Sequence, residues 1–526
     1  MFRYLCEAGS APAVLAVTIA IDFALSLFHE DRLRLGIARA GTSSRPCLCS
    51  RLALSLHKLK IISMMRKNAF IAILAVSCAL TVEADDFGAR VDSLLGSGAM
   101  ARSTTSVAVY DLTDGRELYS HNAGILLRPA SILKLLTAVT ASDVIGVDTP
   151  CFRTSLYVPS HGSDGIVRGD IYVRGGFDPE FMDADMDRLV SYLKSAGISR
   201  IEGRAVGDVS MTDSLYWGPG WCWDDAPSSF QPYMSPLMYE KGRVQVYVPT
   251  LASGRPVKVF PRSTFYTVND LRRVSPYSKQ SPGVTRDWMG GSNELLVTGN
   301  ASRAYGLEVS MYRSQDFFMQ TFVDRLREAG IDVDGYSFGL VPDAMDESFA
   351  VTHTLNDALH EMLKESDNLS ADATLFQLGR IAGYKQADRK DCIKIIRREI
   401  DRMGLDADDY KIVDGNGISL YNYVSAELMM AFLKKAYSDS DIWRGIFPNL
   451  PVSGRDGTLK HRMGTDGMAG KVRAKTGTVS GVSSLAGYVT THRGHVVAFV
   501  IMSNGVIPIR KGTLFQNEVC EMIYNL

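Results

Sequence analysis

The order of predicted elements restricts this chain more than any single residue does. Thr105 to Tyr110 alternates, Asp111 to Gly115 turns, and Arg116 to Ser120 runs on, which predicts a β-hairpin. Ser131 to Ala141 has no helix breaker and is apolar on most sides, which predicts a buried helix beginning at or near Ser131. From 152 to about 345 the texture changes to short strand-like runs among Gly, Pro and aromatic residues (Ser155–Val158, Gly169–Arg174, Arg243–Val248 and Glu294–Val297), interrupted by one helical stretch, Met186–Ala196. Helices then return at Leu355–Lys364, Ala371–Ile381, Asp388–Met403 and Ser425–Ser438. Strands follow at Ser484–Thr490 and His495–Ser503, and Gln516–Tyr524 closes as a helix. This order suggests one α/β domain built from both ends of the chain, with a β-rich insertion between them. Trp217, Trp221 and Trp223 fall together in the insertion and are expected to pack under a long loop.

Composition narrows the function classes. The 526 residues are 46% hydrophobic and 22% charged, an ordinary globular balance that disfavours disorder and a polytopic membrane protein. Lys+Arg number 57 against 58 Asp+Glu, so no global basic excess points to nucleic acid. Eight cysteines are too few for a disulfide-stapled small domain, and neither CxxC nor HExxH occurs. No metal and no cofactor is expected.

The first 84 residues read differently from the rest. Residues 12–28 form an apolar run with Asp22 in its middle, followed by a basic stretch with little pattern. Met64-Met65-Arg66-Lys67 then opens a second apolar run, Ala69–Leu80, which ends at Ala84 before two aspartates. A short positive segment, an apolar stretch and a small residue are the parts of a secretory signal peptide. Residues 1–63 are accordingly expected to be an over-extended start, and 64–84 a signal peptide for export, periplasmic in a two-membrane cell. Cys78 offers a looser match to a lipoprotein acceptor, which leaves a weak membrane association open. Without residues 1–84 the chain holds 47 basic and 53 acidic residues, net −6. Cys151, Cys222, Cys392 and Cys520 remain, and their pairing cannot be deduced from spacing.

Three short patterns carry the chemistry: Ser131-Ile-Leu-Lys134, Ser366-Asp367-Asn368 and Lys475-Thr476-Gly477. A serine hydroxyl attacks only when a base takes its proton. Positions i and i+3 share a helix face, so Lys134 can reach Ser131. A lysine acts as base only if its pKa is lowered, by desolvation among Leu133, Leu135 and Leu136 or by a nearby cation such as Lys475. Each pattern alone is weak; S-x-x-K also occurs at Ser55–Lys58 and Ser191–Lys194. Order and context select Ser131: Ser55 lies in the leader, Ser191 lies inside a helix without partner motifs, and Lys475-Thr-Gly occurs once, leading into an apolar hairpin.

With these residues placed, the chain resembles the penicillin-binding D-alanyl-D-alanine carboxypeptidase/endopeptidases of the penicillin-binding protein 4 type. The likeness runs through Arg128–Ala138, Gly175-Gly-Phe-Asp178-Pro, Gly218-Pro-Gly-Trp221-Cys-Trp223-Asp-Asp225 and Asp414-Gly-Asn-Gly417-Ile-Ser419. It continues through Leu450–Leu459, Ala474–Thr478 and Leu485-Ala-Gly-Tyr488, and covers roughly 86–526. Ser131 and Ser366 are 235 residues apart, and the family carries two extra domains in that gap. The resemblance implies a β-lactamase/transpeptidase-like catalytic domain, an antiparallel sheet flanked by helices, from 85–151 and 346–526. It places inserted domain II in 152–230 and 291–345, and inserted domain III in 231–290. It further implies that Ser131 attacks the D-Ala-D-Ala carbonyl with Lys134 as base, while Ser366 and Asn368 relay protons and hold substrate. Backbone N–H groups of Ser131 and Thr478 form the oxyanion hole, and Lys475 and Thr476, with Gly477, receive the terminal carboxylate. The implied partners are peptidoglycan peptides with D-Ala-D-Ala or D,D-cross-links, and β-lactam antibiotics.

Two departures stand out. Leu420 occupies the place where some relatives carry an arginine facing the substrate's diamino-acid side chain, which puts that recognition in doubt; Asp208 is the candidate to contact an amino group instead. No E-x-x-L-N element is present, which argues against efficient antibiotic hydrolysis. A β-lactamase, and a catalytically silent cell-wall binding protein, stand as the alternatives.

Overall fold

The computed structural model describes residues 87–273, 281–465 and 467–526. The leader and Cys78 lie outside them. Contacts separate residues 1–92, of which 87–92 are described and helical, from one compact unit, Ser93–Leu526.

In that unit, strands β1 (Thr104–Asp111) and β2 (Arg116–His121) form the expected opening hairpin. Helix α1 (Lys134–Val144) follows a 3-10 turn, Ala130–Leu133. Far along the chain come helix α2 (Asn368–Ile381) and strands β3 (Val472–Val479), β4 (Val482–Thr490) and β5 (Val496–Asn504), then helix α3 (Ile509–Tyr524). The five strands make one antiparallel sheet in the order β3-β4-β5-β1-β2. The two ends of the chain thus meet along β1 and β5, with Thr104 opposite Asn504 and Asp111 opposite Val497.

Strand β4 is buried at every position from Val482 to Val489. Its near-continuous apolar run, rather than alternation, reflects helices on both faces. On one face, Ala486, Tyr488, Ala498, Val500 and Met502 join a core with Leu135, Leu136 and Val139 of α1 and with Leu375 and Leu378 of α2. On the other, α3 lays Phe515, Val519 and Cys520 down, and Gly512 passes so near Ser483 that a Cβ there would stand 2.8 Å from that side chain. The antiparallel sheet flanked by helices is the expected catalytic architecture.

The insertion has its own core, built on Leu156, Val173, Leu189, Leu193, Phe317, Phe322 and Val351. A five-stranded mixed sheet runs in the spatial order 336–338, 205–208, 171–174, 152–157, 349–353. Two three-stranded sheets take their strands from between Arg243 and Ser310. The sheet edges therefore do not coincide with the expected boundaries at 231, 291 and 346: the strand Phe349–His353 pairs back onto Phe152–Tyr157, and Glu294–Thr298 belongs to a small sheet.

The helix Ser314–Glu328 was not expected from sequence. Its start carries no capping side chain, because Arg313 sits there in a left-handed conformation (φ 61°), and the adjacent Phe317 and Phe318 mimic a strand. The sequence expectation of one helix interrupting the insertion is corrected to two α-helices among the described residues, Asp183–Ser195 and Ser314–Glu328. The four cysteines among the described residues, Cys151, Cys222, Cys392 and Cys520, are free thiols. Among the described residues, no helix is long and apolar enough to cross a membrane.

Candidate active site

The site forms where the start of α1, the start of α2 and strand β3 converge. Ser131 lies in the 3-10 turn, and Lys134 is the first residue of α1. In a 3-10 turn residues i and i+3 eclipse, which brings the two side chains together more directly than an α-helical start would. Lys134 Nζ donates to Ser131 Oγ at 3.0 Å, to Asn368 Oδ1 at 2.6 Å and to the backbone carbonyl of Asn416 at 2.8 Å. The lysine is fully buried while Ser131 is partly open.

Burial lowers the Lys134 pKa to about 8, against the opposing pull of Asp414, Asp367 and Asp372. Desolvation is therefore the cause of the expected lowering. Lys475 is buried as well, and burial followed by the charge of Lys134 takes it well below the ordinary lysine value, with Glu365 opposing; the repulsion between the two ammonium groups is mutual.

Ser366 and Asn368 are placed by an irregular turn. The helix from Leu355 passes into a π-helical turn, Glu361–Glu365, and ends on Ser366 at φ 65°. Left-handed backbone at a non-glycine residue is strained and persists where the surroundings compel it. Asp367 then caps α2 by accepting from the Ser370 N–H at 2.7 Å. The reversal leaves the Ser366 hydroxyl to accept from Lys475 Nζ at 2.8 Å, while Asn368 faces Lys134. The Asn368 amide donates to the Phe230 carbonyl at 2.9 Å and to Gln231 Oε1 at 3.0 Å.

Lys475, Thr476, Gly477 and Thr478 lie within β3. A Cβ added at Gly477 would meet the Pro129 carbonyl at 2.7 Å and the Ser131 nitrogen at 3.1 Å. The strand backbone is thus pressed against the turn that carries Ser131. Thr476 Oγ1 donates to Thr458 Oγ1 at 2.8 Å at the exposed rim, with Thr478 beside it also exposed.

The turn Asp414–Ser419 supports the site from below. Gly417, at φ 86°, runs so close that a Cβ would overlap the Ala130 carbonyl at 2.0 Å and Leu133 Cβ at 3.0 Å. Asp414 accepts from Trp221 Nε1 at 2.9 Å, and Ser419 Oγ donates to the Pro219 carbonyl at 2.8 Å. The tryptophan loop therefore clamps this turn: Trp221 is buried, Trp217 stacks edge-on against it, and Trp223 alone of the three is exposed. Gly417→Ala is expected to lose about 2–4 kcal/mol, from left-handed strain and overpacking together. Denaturant unfolding checks this, and an unchanged midpoint would contradict the packing described.

Two expected features are placed elsewhere or otherwise occupied. Asp208 ends the strand Ala205–Asp208 in the insertion, is 1% exposed, and accepts from Arg174 Nε, the Ser210 N–H and the Val341 N–H at 3.0–3.1 Å. Its carboxylate is thus held by three donors of the insertion itself. Leu420 makes a backbone hydrogen bond to the Gly220 carbonyl at 3.1 Å.

Four participants were not singled out from sequence: Phe230 and Gln231, which hold the Asn368 amide; Asn416, whose carbonyl holds Lys134; and Thr458, paired with Thr476. The Asp-Gly-Asn-Gly and Gly-Thr-Leu strings were visible as family patterns without a role. Nothing in the pattern around residue 230 marks it as reaching the site.

Comparison with known proteins identifies the family. The D-Ala-D-Ala carboxypeptidase 3 (S13) family matches residues 87–519. A D-alanyl-D-alanine carboxypeptidase from Actinomadura sp. (strain R39) is 30% identical over 454 residues, covering 80% of this chain and 83% of the relative. The D-alanyl-D-alanine carboxypeptidase DacB of Haemophilus influenzae is 27% identical, covering 75% of this chain and 84% of its own. The crystal structure of penicillin binding protein 4 from H. influenzae superposes with a TM-score of 0.71 at 24% identity, covering 83% of this chain and 99% of that one. The chain belongs to the D-Ala-D-Ala carboxypeptidase 3 (S13) family.

Proposed function

We propose that the protein is a serine-type D,D-carboxypeptidase, exported by its leader, which also cleaves D,D-cross-links between stem peptides and is acylated by penicillin. The observation that carries this reading is the 3.0 Å contact between Ser131 Oγ and a fully buried lysine whose pKa burial brings close to neutrality.

Neutral Lys134 takes the hydroxyl proton as Ser131 Oγ bonds to the carbonyl carbon of the penultimate D-Ala. The oxyanion rests on the N–H groups of Ser131 and Thr478. The C–N bond then breaks, and the leaving amine takes a proton passed through Lys134 and Ser366. Water attacks the ester, and its proton returns to Ser131 Oγ. Lys475 and Thr476 receive the terminal carboxylate, whose negative charge favours the protonated form of Lys475 on binding. A cross-link presents the same carbonyl with a larger leaving amine, and a β-lactam presents a carbonyl and a carboxylate in similar relation.

Mass spectrometry of purified muropeptides after incubation tests the reading. Loss of one D-Ala from pentapeptides and conversion of dimers to monomers are expected. Unchanged muropeptides with retained binding would favour a silent cell-wall protein, and rapid nitrocefin turnover would favour a β-lactamase. N-terminal sequencing of the exported protein is expected to find a mature end downstream of residue 64; an end upstream of it would sink the over-extended start.

A further inference from the structure

A second group of charges lies directly behind the Ser366–Asn368 turn, at the seam between the insertion and the catalytic helices. Lys241 Nζ stands 3.0 Å from Glu180, 3.2 Å from Glu361 and 3.8 Å from Asp367. Lys241 and Glu180 belong to the insertion. Glu361 opens the π-helical turn, and Asp367 sits between Ser366 and Asn368. The Lys241 side chain is 6% exposed and that of Asp367 12%.

The backbone goes to some length to put the ammonium there. Glu240, Lys241 and Gly242 are consecutively left-handed, at φ 49°, 54° and 67°. A run of this kind is held only by strong surrounding contacts. The same insertion segment supplies Phe230 and Gln231, so it grips Asn368 through the amide and Asp367 through Lys241.

The electrostatics are one-sided. Burial works to lower the Lys241 pKa, but Asp367, Glu180 and Glu361 outweigh it and raise it. Burial works to raise Asp367, but Lys241 and two hydrogen bonds from Ser370 hold it down. Burial pushes Glu180 up to about 7 against the pull of Lys241. Lys241 is the cation in direct contact with these three carboxylates, with Arg243 acting on Asp367 from farther off, and without Lys241 the carboxylates would repel one another at the turn that carries Ser366 and Asn368.

We propose that Lys241 is a positioning residue for the reaction: it draws Asp367 against the insertion and so fixes the turn from which Ser366 meets Lys475 and Asn368 meets Lys134. This rests on the reading of Ser131, Ser366 and Asn368 as the reacting set. A misplacement of about 1 Å at such a site costs on the order of a hundredfold in rate. Lys475 and Thr476, on a different element, keep their hold on the substrate carboxylate.

The test measures the acylation rate constant by fluorescent penicillin and kcat and KM for D-Ala release, each per penicillin-titrated site in the full chain. Lys241→Met is expected to slow acylation and kcat by about 10–100-fold with KM changed less than about threefold. Lys241→Arg is expected to return most of the rate. Adding Glu180→Gln and Glu361→Gln to Lys241→Met is expected to recover part of it, because the repulsion is removed with its sources. Should Lys241→Met fold poorly, Lys241→Arg and the triple variant carry the comparison; a triple variant no faster than Lys241→Met per titrated site overturns the proposal. A wild-type rate per site in Lys241→Met, with loss only of thermal stability, also overturns it and leaves the reading of Ser131 untouched. Absence of labelling in the wild type overturns both.

Discussion

Ser131→Ala is expected to abolish covalent labelling by fluorescent penicillin and to cut D-Ala release by about 10⁴–10⁶-fold, the scale seen when a nucleophile is removed from a preorganised site. The change removes one half-buried hydroxyl that accepts from Lys134, so folding stability should move by about 1 kcal/mol or less. Intact-mass measurement after penicillin treatment reads the labelling directly. Equal adducts on wild type and Ser131→Ala would move the nucleophile elsewhere and undo the roles given to Lys134, which contacts Ser131, and to Asn368, which contacts Lys134.

The second large effect concerns the base. Lys134→Ala is expected to lower the acylation rate by about 10²–10⁴-fold, the range for general-base removal. In the wild type the active form of Lys134 is the neutral amine. With its pKa lowered to about 8, acylation should rise close to tenfold per pH unit below that value and level off above it. An ordinary exposed lysine would keep rising to well beyond pH 10. Stopped-flow acylation between pH 6 and 9.5 separates the two. A flat profile across pH 7–9 would exclude Lys134 as the group whose deprotonation limits attack. Burial is the largest cause of this value, and the charge of Lys475 acts in the same direction, so Lys475→Ala should weaken carboxylate-bearing substrates and move the rising limb toward higher pH.

Much of the catalytic half was legible because its signals are local. The hairpin over Thr104–His121 follows from alternation around an Asp-Leu-Thr-Asp-Gly turn. Helix α1 follows from an unbroken apolar stretch, and strands β4 and β5 from apolar runs around Thr491–Gly494. The insertion was less legible. Its strands are short and its sheets mix parallel and antiparallel pairs across large gaps, so domain edges cannot be read from periodicity. Asp208 illustrates the limit for a single residue. A carboxylate in a Gly-Asp segment looks available in sequence, yet three donors from Arg174, Ser210 and Val341 converge on it in the fold.

What the sequence determined by itself was the list of candidate groups and their order: a serine three residues before a lysine, a Ser-Asp-Asn, a Lys-Thr-Gly, and a long strand-rich interruption between the first and second. Residue type and i, i+3 spacing are properties of a chain segment, so they can be read without the fold. Only the tertiary structure decided what makes these groups reactive. Lys134 is lowered because helices and sheet bury it, Gly477 and Gly417 allow two backbones to close on the nucleophile turn, and an insertion loop reaches across to hold Asn368. Desolvation and long-range approach depend on what packs from distant parts of the chain, and no local pattern carries that information.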